Sequence, residues 1–306
     1  MFAISSASPV EVNELIREFF SHADKNPHGW GLADFSTRTA PSGGVHTPSQ
    51  ATPPPTPALI RSPERADTDP LAARILSQPL YLETALVHIR QATIGQVEMD
   101  NCHPFTATDM SGRTWTLIHK GTVFTHPPLD HYFYLQRGTT DSERILLALV
   151  DRINEATERK AAPLEADERF EVFDRLVREL SLGNCVNLLV YDSDLLYVHR
   201  NYRGALHYRR LAEGVLFCTS KLAAATALPA AGTAPADGAA PDAAPPAPDA
   251  APAPDAAPDA AWKPVPLCTS LAYSAGKLVH RGKPTGNQYF DNELDTRYLY
   301  WDFAGL

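Results

Sequence analysis

Three segments of the chain carry apolar residues at the 3.6-residue spacing of an amphipathic helix. Their apolar faces are Val12, Leu15, Ile16, Phe19 and Phe20 in the first, Ile145, Leu146, Leu149, Val150 and Ile153 in the second, and Phe170, Phe173, Leu176, Val177 and Leu180 in the third. Ahead of the first segment, Ser8 suits an N-cap, Pro9 the first helical position and Glu11 a capping box. The pattern therefore predicts one helix that starts just after Ser8 and two further helices later in the chain.

Short apolar or alternating runs between these segments are typical of β-strands. The runs predict strands over residues 1–6, 30–35, 85–89, 114–119, 186–191, 195–199, 215–219, 270–273 and 277–280, and a short helix over residues 71–76. A strand, a helix, a strand and then several consecutive strands favour an α+β layered architecture over a doubly wound parallel sheet.

Two stretches lack this periodicity. Residues 36–69 are rich in Thr, Pro, Ser and Gly, and residues 223–261 consist almost entirely of Ala, Pro and Asp. Neither composition buries enough apolar surface to offset the entropy lost on ordering the backbone. We expect both to be disordered insertions in a single domain spanning residues 1–306, with the strands on either side of the second insertion paired. Aromatic residues between positions 289 and 301 are expected to pack the C-terminal segment back onto that domain.

The charge and the cysteines exclude several classes of partner. A formal net charge of -9 disfavours binding to nucleic acid or to anionic lipid, since both depend on Lys and Arg. The four cysteines, Cys102, Cys185, Cys218 and Cys268, form no CxxC pair and no dense disulfide framework. No signal-peptide pattern opens the chain, and no apolar run approaches the length of a membrane span. We therefore expect a cytoplasmic protein without nucleic-acid or membrane partners.

Short motifs at the ends of predicted strands are the candidates for chemistry. They are MFAISS at the start, HGWGLA over residues 28–33, HIRQAT over 88–93, NCHPF over 101–105, HKG over 119–121 and GTTDSE over 138–143. No GxGxxG or P-loop pattern occurs, so we expect no cofactor. His88 and His103 have no second ligand at a metal-binding spacing, so we expect no metal and structural roles for both. In order and spacing the motifs resemble those of stand-alone class II glutamine amidotransferases.

This resemblance implies the four-layer αββα fold of N-terminal-nucleophile hydrolases and hydrolysis of the glutamine amide. It assigns Arg90 to the α-carboxylate of glutamine or of a γ-glutamyl compound, because a planar guanidinium matches a carboxylate bidentately. Thr93 is assigned to the same end of the ligand, and Asp141 to its α-ammonium group. Without the motifs, Arg90 would be interpreted as a solvated or ion-paired charge, and Asp141 also suits the cap of a helix that starts at Ser142.

The resemblance also assigns three glycines to the site. Gly121 would donate its backbone N–H to the oxyanion of the tetrahedral intermediate. Gly29 and Gly31 would let the backbone approach the ligand closely. Lys120, in contrast, stands where the family has an asparagine whose side-chain amide completes the oxyanion hole. Losing that donor is expected to lower the rate about a hundredfold or more.

The largest departure from the family is Phe2, which occupies the position of the catalytic cysteine. That cysteine acts as an exposed first residue, whose thiolate attacks the amide while its own α-amine serves as the base. Phe2 supplies no nucleophile, and its size predicts that Met1 is retained, which places the α-amine one residue away. We also expect the phenyl ring to fill the space of the substrate amide and to close the pocket.

Three functions follow as hypotheses. The first is a catalytically impaired homologue that keeps Arg90 and Asp141 and still binds glutamine or a γ-glutamyl ligand. The second is an active amidotransferase or γ-glutamyl amide hydrolase with another nucleophile, for which Cys102 is the nearest candidate although it lacks a partner base. The third is a protein-interaction scaffold in which residues 223–261 are the functional part, with a partner that the sequence does not identify.

Overall fold

The computed structural model describes residues 1–36, 57–228 and 261–291. In these ranges the helices are α1 (Asn13–Phe20), α2 (Pro70–Leu76), α3 (Pro127–Asp130), α4 (Asp141–Lys160) and α5 (Ala166–Leu180). The strands are β1 (Phe2–Glu11), β2 (Trp30–Asp34), β3 (Ala58–Ser62), β4 (Tyr81–Ile89), β5 (Phe105–Thr108), β6 (Thr114–Thr122), β7 (Cys185–Tyr191), β8 (Leu196–Arg200), β9 (His207–Arg210), β10 (Gly214–Cys218), β11 (Lys263–Pro264), β12 (Leu271–Ser274) and β13 (Lys277–Arg281). No helix within the described ranges is long and apolar enough to cross a membrane.

The strands form two antiparallel sheets. Sheet A has the strand order β11-β9-β10-β1-β4-β2-β3, and sheet B has the order β13-β12-β8-β7-β6-β5. In sheet A, β1 is central, and Phe2 lies opposite Cys218 of β10 and Val87 of β4. In sheet B, β6 and β7 pair along their length, with Gly121 opposite Val186. These two pairings fix the positions of the start of the chain and of the HKG motif.

Alternation of side chains along the strands divides the interior into three apolar layers. One layer lies between sheet A and helices α1 and α2, and it includes Phe2, Ile4, Leu15, Phe19 and Leu82. The second lies between the sheets and includes Ala3, Leu86, Ile118, Leu189 and Phe217. The third packs α4 and α5 on sheet B and includes Leu149, Phe173, Leu188 and Tyr197. The order helix, sheet, sheet, helix confirms the predicted four-layer αββα fold.

Most predicted elements are confirmed to within a few residues, but the predicted start of the first helix is wrong. β1 continues through Glu11, and α1 begins only at Asn13. Pairing of β1 with β4 resumes at Val10 after a bulge. Ser8, the expected N-cap, instead donates its hydroxyl to the Glu213 carboxylate at 2.5 Å. Strand pairing in the tertiary structure therefore outweighs the local capping signal.

The first predicted insertion is shorter than expected. Ala58–Ser62 forms β3, an edge strand that pairs with β2, and Asp69 caps α2 by accepting from Leu71 N at 2.8 Å. Only one side of an edge strand is hydrogen-bonded, and β3 is mostly half-buried, so its sequence shows little apolar alternation. Residues 37–56 of this insertion lie outside the described ranges.

The second predicted insertion also has different bounds. The amides of Ala223 and Ala224 each donate to the Glu18 carboxylate at 2.7 Å, so the chain is still part of the fold there. Residues 229–260 lie outside the described ranges. The flanking strands do not pair as expected, because β10 lies in sheet A and β12 in sheet B. The first strand after residues 229–260 is instead β11, which pairs with β9 in sheet A. The chain then crosses to sheet B, where β12 lies.

Candidate functional site

A cavity of about 320 Å³ lies where β4 and β6 end and where β1, β7 and α4 begin. Five residues assigned by the motifs line it, namely Arg90, Thr93, Lys120, Gly121 and Asp141. The other three assigned residues, Phe2, Gly29 and Gly31, lie outside its lining. The fold therefore brings together the residues assigned to the two ends of a glutamine-like ligand, and Phe2 lies directly behind the lining, next to Met1 and Phe19.

Phe2 does not line the cavity, although the preceding residue, Met1, and the residue whose ring it packs on, Phe19, both do. It is fully buried between sheet A and α1, with its ring centroid 6.1 Å from that of Phe19. Met1 instead belongs to the layer between the sheets and lines the cavity. The expectation that the phenyl ring closes the pocket is therefore wrong. The phenyl ring therefore leaves the cavity open.

The α-amine of Met1 lies at the cavity wall. It donates to Thr219 Oγ1 at 3.1 Å, and Thr219 N donates to the Met1 carbonyl oxygen at 3.0 Å. Burial lowers the pKa of this amine to about 5, with smaller effects from Cys218, which raises it, and from Lys120, which lowers it. At neutral pH the amine is therefore mostly uncharged and lies beside a hydroxyl group.

Arg90 shapes the loop that follows β4. Its Nη1 donates to Gln96 O at 2.9 Å, and its Nη2 donates to Ile94 O at 2.8 Å and to Gly95 O at 3.1 Å. The residue is only 3% exposed. A guanidinium has about five N–H donors in a planar fork, so the loop engages a large part of it. Arg90 thus holds the loop in place and also lines the cavity.

Asp141 is the first residue of α4. The N-cap is Thr140, whose Oγ1 accepts from Glu143 N at 3.3 Å, so the capping role considered for Asp141 belongs to Thr140. The carboxylate of Asp141 instead accepts from Val123 N at 2.8 Å. It is buried at the N-terminus of α4, the positive end of the helix dipole. Asp141 therefore presents a fixed negative charge to the cavity.

The HKG motif ends β6 at the cavity. Gly121 has a φ of +154°, and a Cβ added there would lie 1.9 Å from Cys185 O, so no larger residue fits unless β7 moves. Asn187 Nδ2 donates to Lys120 O at 2.7 Å, which fixes the peptide that precedes Gly121. The Lys120 side chain is exposed at the cavity. Packing against β7 therefore accounts for the glycine.

Three buried histidines support this strand end. His88 Nε2 donates to His119 O at 3.1 Å, and His103 Nδ1 accepts from His119 N at 3.3 Å. His119 Nε2 in turn donates to Cys185 O at 3.3 Å. These bonds place a proton on Nε2 of His88 and of His119 and require an unprotonated Nδ1 on His103, and burial lowers the pKa of all three. His88 and His103 thus support the end of β6 through hydrogen bonds, and both also line the cavity.

Gly29 and Gly31 approach protein atoms closely. A Cβ on Gly29 would lie 2.6 Å from Cys102 Sγ, and a Cβ on Gly31 would lie 2.2 Å from His103 O. The two glycines therefore let β2 pack against the NCHPF segment. Cys102 also lies outside the cavity lining, and burial raises the pKa of its thiol to about 11. Its position and its protonation both make it a poor nucleophile.

One part of the lining has no counterpart among the sequence motifs. Phe124, Tyr202 and Tyr289 form an aromatic wall, in which Phe124 and Tyr289 are stacked with ring centroids 5.8 Å apart. Tyr202 packs on Tyr289 at 5.9 Å, and its Oη donates to Asp291 Oδ2. Packing of the C-terminal aromatic residues on the domain is confirmed for Tyr289. Residues 292–306 lie outside the described ranges.

The cavity lining carries charges of both signs. Arg90 and Lys120 are cationic, and Asp141 and Asp291 are anionic. Such a set complements a small zwitterion, because each charge of the ligand meets an opposite charge. Among the described residues, no group of three or more His, Cys, Asp or Glu side chains is arranged to hold a metal ion.

Residues 2–213 match a family model described as class-II glutamine amidotransferases. Two curated relatives carry the description glutamine amidotransferase as a provisional assignment. YafJ of Escherichia coli (strain K12) is 30% identical over 158 residues, which are 51% of this chain and 60% of YafJ. A protein of Haemophilus influenzae is 25% identical over 150 residues, which are 49% of each chain. The chain thus matches between 49% and 60% of the length of these relatives.

Solved structures have the same fold. One described as a predicted glutamine amidotransferase from Pseudomonas aeruginosa PA01 gives a TM-score of 0.54 at 18% identity, covering 91% of this chain and 98% of that chain. The glutamine phosphoribosylpyrophosphate amidotransferase of B. subtilis gives 0.55 at 11% identity, covering 94% and 49%. At such identities the likeness shows the N-terminal-nucleophile type of fold alone. Because the family model covers well over half of the sequence, the chain belongs to the class II glutamine amidotransferases.

Proposed function

We propose that this chain is a catalytically impaired class II glutamine amidotransferase that still binds glutamine or a γ-glutamyl compound in its cavity. One observation carries the proposal. Arg90 and Asp141 line one cavity, whereas the ring of Phe2 is outside its lining and is buried in the core between sheet A and α1. The charges needed to hold the amino-acid part of a ligand are therefore present, and the nucleophile is absent.

The binding half of the proposal rests on fixed charges. Asp141 is held by Val123 N and would accept from a ligand α-ammonium group. Arg90 would donate the remainder of its fork to the α-carboxylate, and Thr93, whose Oγ1 lies 3.3 Å from Thr122 Oγ1, lines the cavity as well. Because both charged side chains are already oriented by the protein, a ligand does not need to order them.

The impaired half rests on Phe2 and Lys120. Phe2 offers neither a thiol nor a hydroxyl, and its ring packs against Phe19. Lys120 replaces the side-chain amide that the family uses at the oxyanion. Gly121 keeps the backbone that would donate to the oxyanion. A loss of both the nucleophile and one oxyanion donor removes the covalent route to amide hydrolysis.

Titration calorimetry with L-glutamine tests the binding half. The Asp141→Asn variant keeps an acceptor for Val123 N but removes the negative charge, so we expect at least about tenfold weaker binding than for the wild type. Asp167→Asn is the matched control, because Asp167 lies in the first turn of α5, outside the cavity lining. No saturable binding to the wild type, or equal binding to Asp141→Asn, would contradict the proposal.

A second function, an active amide hydrolase with another nucleophile, is favoured by one contact. The uncharged α-amine of Met1 lies 3.1 Å from Thr219 Oγ1 in the cavity wall. A hydroxyl beside an uncharged base is the pair that nucleophilic catalysis uses. This function requires a free α-amine on Met1, which intact mass measurement would establish. Ammonia release that is lost in Thr219→Val and kept in Thr219→Ser would support it, and equal release by Thr219→Val would reject it.

Two further expectations belong with this proposal. A reducing, cytoplasmic setting is supported by the four cysteines, all of which are free thiols in the structure. The scaffold hypothesis concerns residues 223–261, of which residues 229–260 lie outside the described ranges. No described contact favours it over ligand binding.

A further inference from the structure

The aromatic wall of Phe124, Tyr202 and Tyr289 is joined to the proposed ammonium site. Asp141 accepts from Val123 N at 2.8 Å, and the next residue, Phe124, stacks on Tyr289. The interplanar angle of that stack is 19°, so the two rings are nearly parallel. A ligand whose ammonium group reaches Asp141 would therefore lie within reach of aromatic surface.

The wall also borders the proposed oxyanion site. Asn187 connects the two, because its Nδ2 donates to Lys120 O at 2.7 Å and its Oδ1 accepts from Tyr202 N at 3.4 Å. Gly121 and Phe124 lie on the same segment at the end of β6. The amide of a γ-glutamyl group placed at Gly121 would therefore lie in the cavity that these rings line, three residues along the chain from Phe124.

Buried asparagines hold the wall in place. Asn184 Oδ1 accepts from Phe124 N at 2.7 Å, and Asn201 O accepts from Tyr289 N at 2.9 Å. Asn201 Nδ2 also donates to Asn184 O at 2.8 Å, which links the two supports. Both asparagines are completely buried. The rings are therefore positioned before a ligand arrives, which lowers the entropy cost of binding.

The cavity offers more room and more apolar surface than an unsubstituted amide uses. Its volume of about 320 Å³ is at the lower end of the range of about 300–1,000 Å³ that is typical of sites for drug-sized ligands. A planar substituent can pack on the half-buried rings of Phe124 and Tyr202, which the buried Tyr289 supports, and be removed from water there. Glutamine carries only hydrogens on its amide nitrogen, and it would leave the wall uncovered.

We propose that the aromatic wall is a subsite for the amine part of a γ-glutamyl amide, and that the cavity prefers γ-glutamyl arylamides to glutamine. This inference rests on the proposed function, because the glutamyl part must be held by Arg90 and Asp141. Ring stacking and burial together favour the arylamide by about tenfold in affinity or more.

Titration calorimetry of the full chain with γ-L-glutamylanilide and with L-glutamine tests the subsite. We expect the anilide to bind about tenfold more tightly than glutamine. The Tyr289→Leu variant keeps an apolar side chain but removes the ring on which Phe124 stacks. We expect it to lose most of the preference for the anilide while its affinity for glutamine stays within about twofold of the wild type. Tyr81→Leu is the matched control, because Tyr81 is 55% exposed on β4 and outside the cavity lining.

The outcomes separate the subsite from the proposed function. Equal affinities of the wild type for the two ligands, or equal weakening of both by Tyr289→Leu, would overturn the subsite and leave the proposed function standing. Binding of neither ligand to a folded wild-type chain would overturn both. A circular dichroism spectrum of each variant that matches the wild type excludes misfolding as the cause of a loss.

Discussion

The side-chain amide of Asn101 is hydrogen-bonded twice to Thr139. Its Oδ1 accepts from Thr139 N at 2.7 Å, and its Nδ2 donates to Thr139 Oγ1 at 3.0 Å. The same Nδ2 donates to Gln96 O at 3.0 Å, and Gln96 O also accepts from Arg90. Asn101 therefore joins the loop held by Arg90 to the loop that leads into Asp141. The two proposed ligand-binding loops form one connected unit.

We predict that Asn101→Asp weakens both the fold and ligand binding. The new carboxylate still accepts from Thr139 N, but it cannot donate to Gln96 O, and it is buried beside the Glu98 carboxylate, which Asn101 now contacts at 2.8 Å. The expected loss is about 2 kcal/mol or more in the free energy of unfolding, together with weaker glutamine binding. Urea unfolding and calorimetry measure the two effects.

The matched control for this exchange is Asn154→Asp. Asn154 uses its Oδ1 to accept from Met110 N at 2.8 Å, at an exposed site, and that bond survives the exchange. Its effect on unfolding should be within about 0.5 kcal/mol. Similar losses of unfolding free energy in Asn101→Asp and Asn154→Asp would contradict the role of Asn101 in joining the two loops.

We predict that Gly121→Ala prevents folding or costs several kcal/mol in the free energy of unfolding. Its Cβ would lie 1.9 Å from Cys185 O, a backbone atom that cannot move without β7. Gly112→Ala is the matched control, because Gly112 has a φ of +84° but a Cβ there would meet nothing within 4 Å. The control should cost only about 1–2 kcal/mol, the strain of the positive φ. Equal unfolding midpoints for Gly121→Ala and Gly112→Ala would contradict the prediction, because they would show that β7 moves to make room for the added methyl group.

We predict that Phe2→Leu lowers the free energy of unfolding without changing ligand affinity. Phe2 is fully buried and packs against Phe19, so a smaller side chain loses contacts there, at a cost of about 1–3 kcal/mol. Phe2 is outside the cavity lining, and leucine at position 2 is also large enough for Met1 to be retained. Urea unfolding and glutamine titration test this. An affinity change of more than about threefold would contradict the placement of the Phe2 ring.

We predict that stability is highest above about pH 6.5 and falls as the pH is lowered. Burial lowers the pKa of His88, His103 and His199 in the folded chain, to about 4 for His199. Below about pH 6.5 the unfolded chain binds protons that these folded histidines do not, and this favours unfolding until the folded pKa is reached. Urea midpoints at about pH 7.5 and about pH 5 measure the loss.

The contribution of His199 can be separated from the rest. His199 is buried, so the His199→Gln variant should show a smaller decrease of the urea midpoint with falling pH than the wild type. His131→Gln, at an exposed position, is the control and should show the same decrease as the wild type. A urea midpoint that rises from about pH 7.5 to about pH 5, or that is unchanged within the error of the measurement, would contradict this prediction. It would show that other groups dominate the pH dependence of stability.

The sequence predicts which motif residues meet, but not the direction of every side chain. Arg90 and Gly121 lie at or just after strand ends and Asp141 opens a helix, and such ends gather at one edge of a layered sheet. Phe2 differs because both faces of β1 are buried. Alternation then separates two sets of side chains without indicating which set packs on α1 and which lies between the sheets. Only the packing of α1 on sheet A decides it.

Other features depend on contacts between distant segments. β9 was not predicted because His207–Arg210 carries charged and polar residues, and Arg209 is nevertheless 1% exposed in the sheet. The residues of the aromatic wall, Phe124, Tyr202 and Tyr289, come from three separate loops and share no motif. Such sites arise from tertiary structure, so a single sequence contains no local signal for them.

Ammonia release from L-glutamine tests most directly the claim that the cavity is retained and the nucleophile is lost. The wild-type chain is compared with the Phe2→Cys, Lys120→Asn double variant, in which the small second residue permits removal of Met1. We predict no release above the buffer blank from the wild type, saturable release from the double variant, and labelling of its new thiol by a glutamine-analogue electrophile. Equal release by the wild type, or neither release nor labelling by a folded double variant that has lost Met1, would contradict the account.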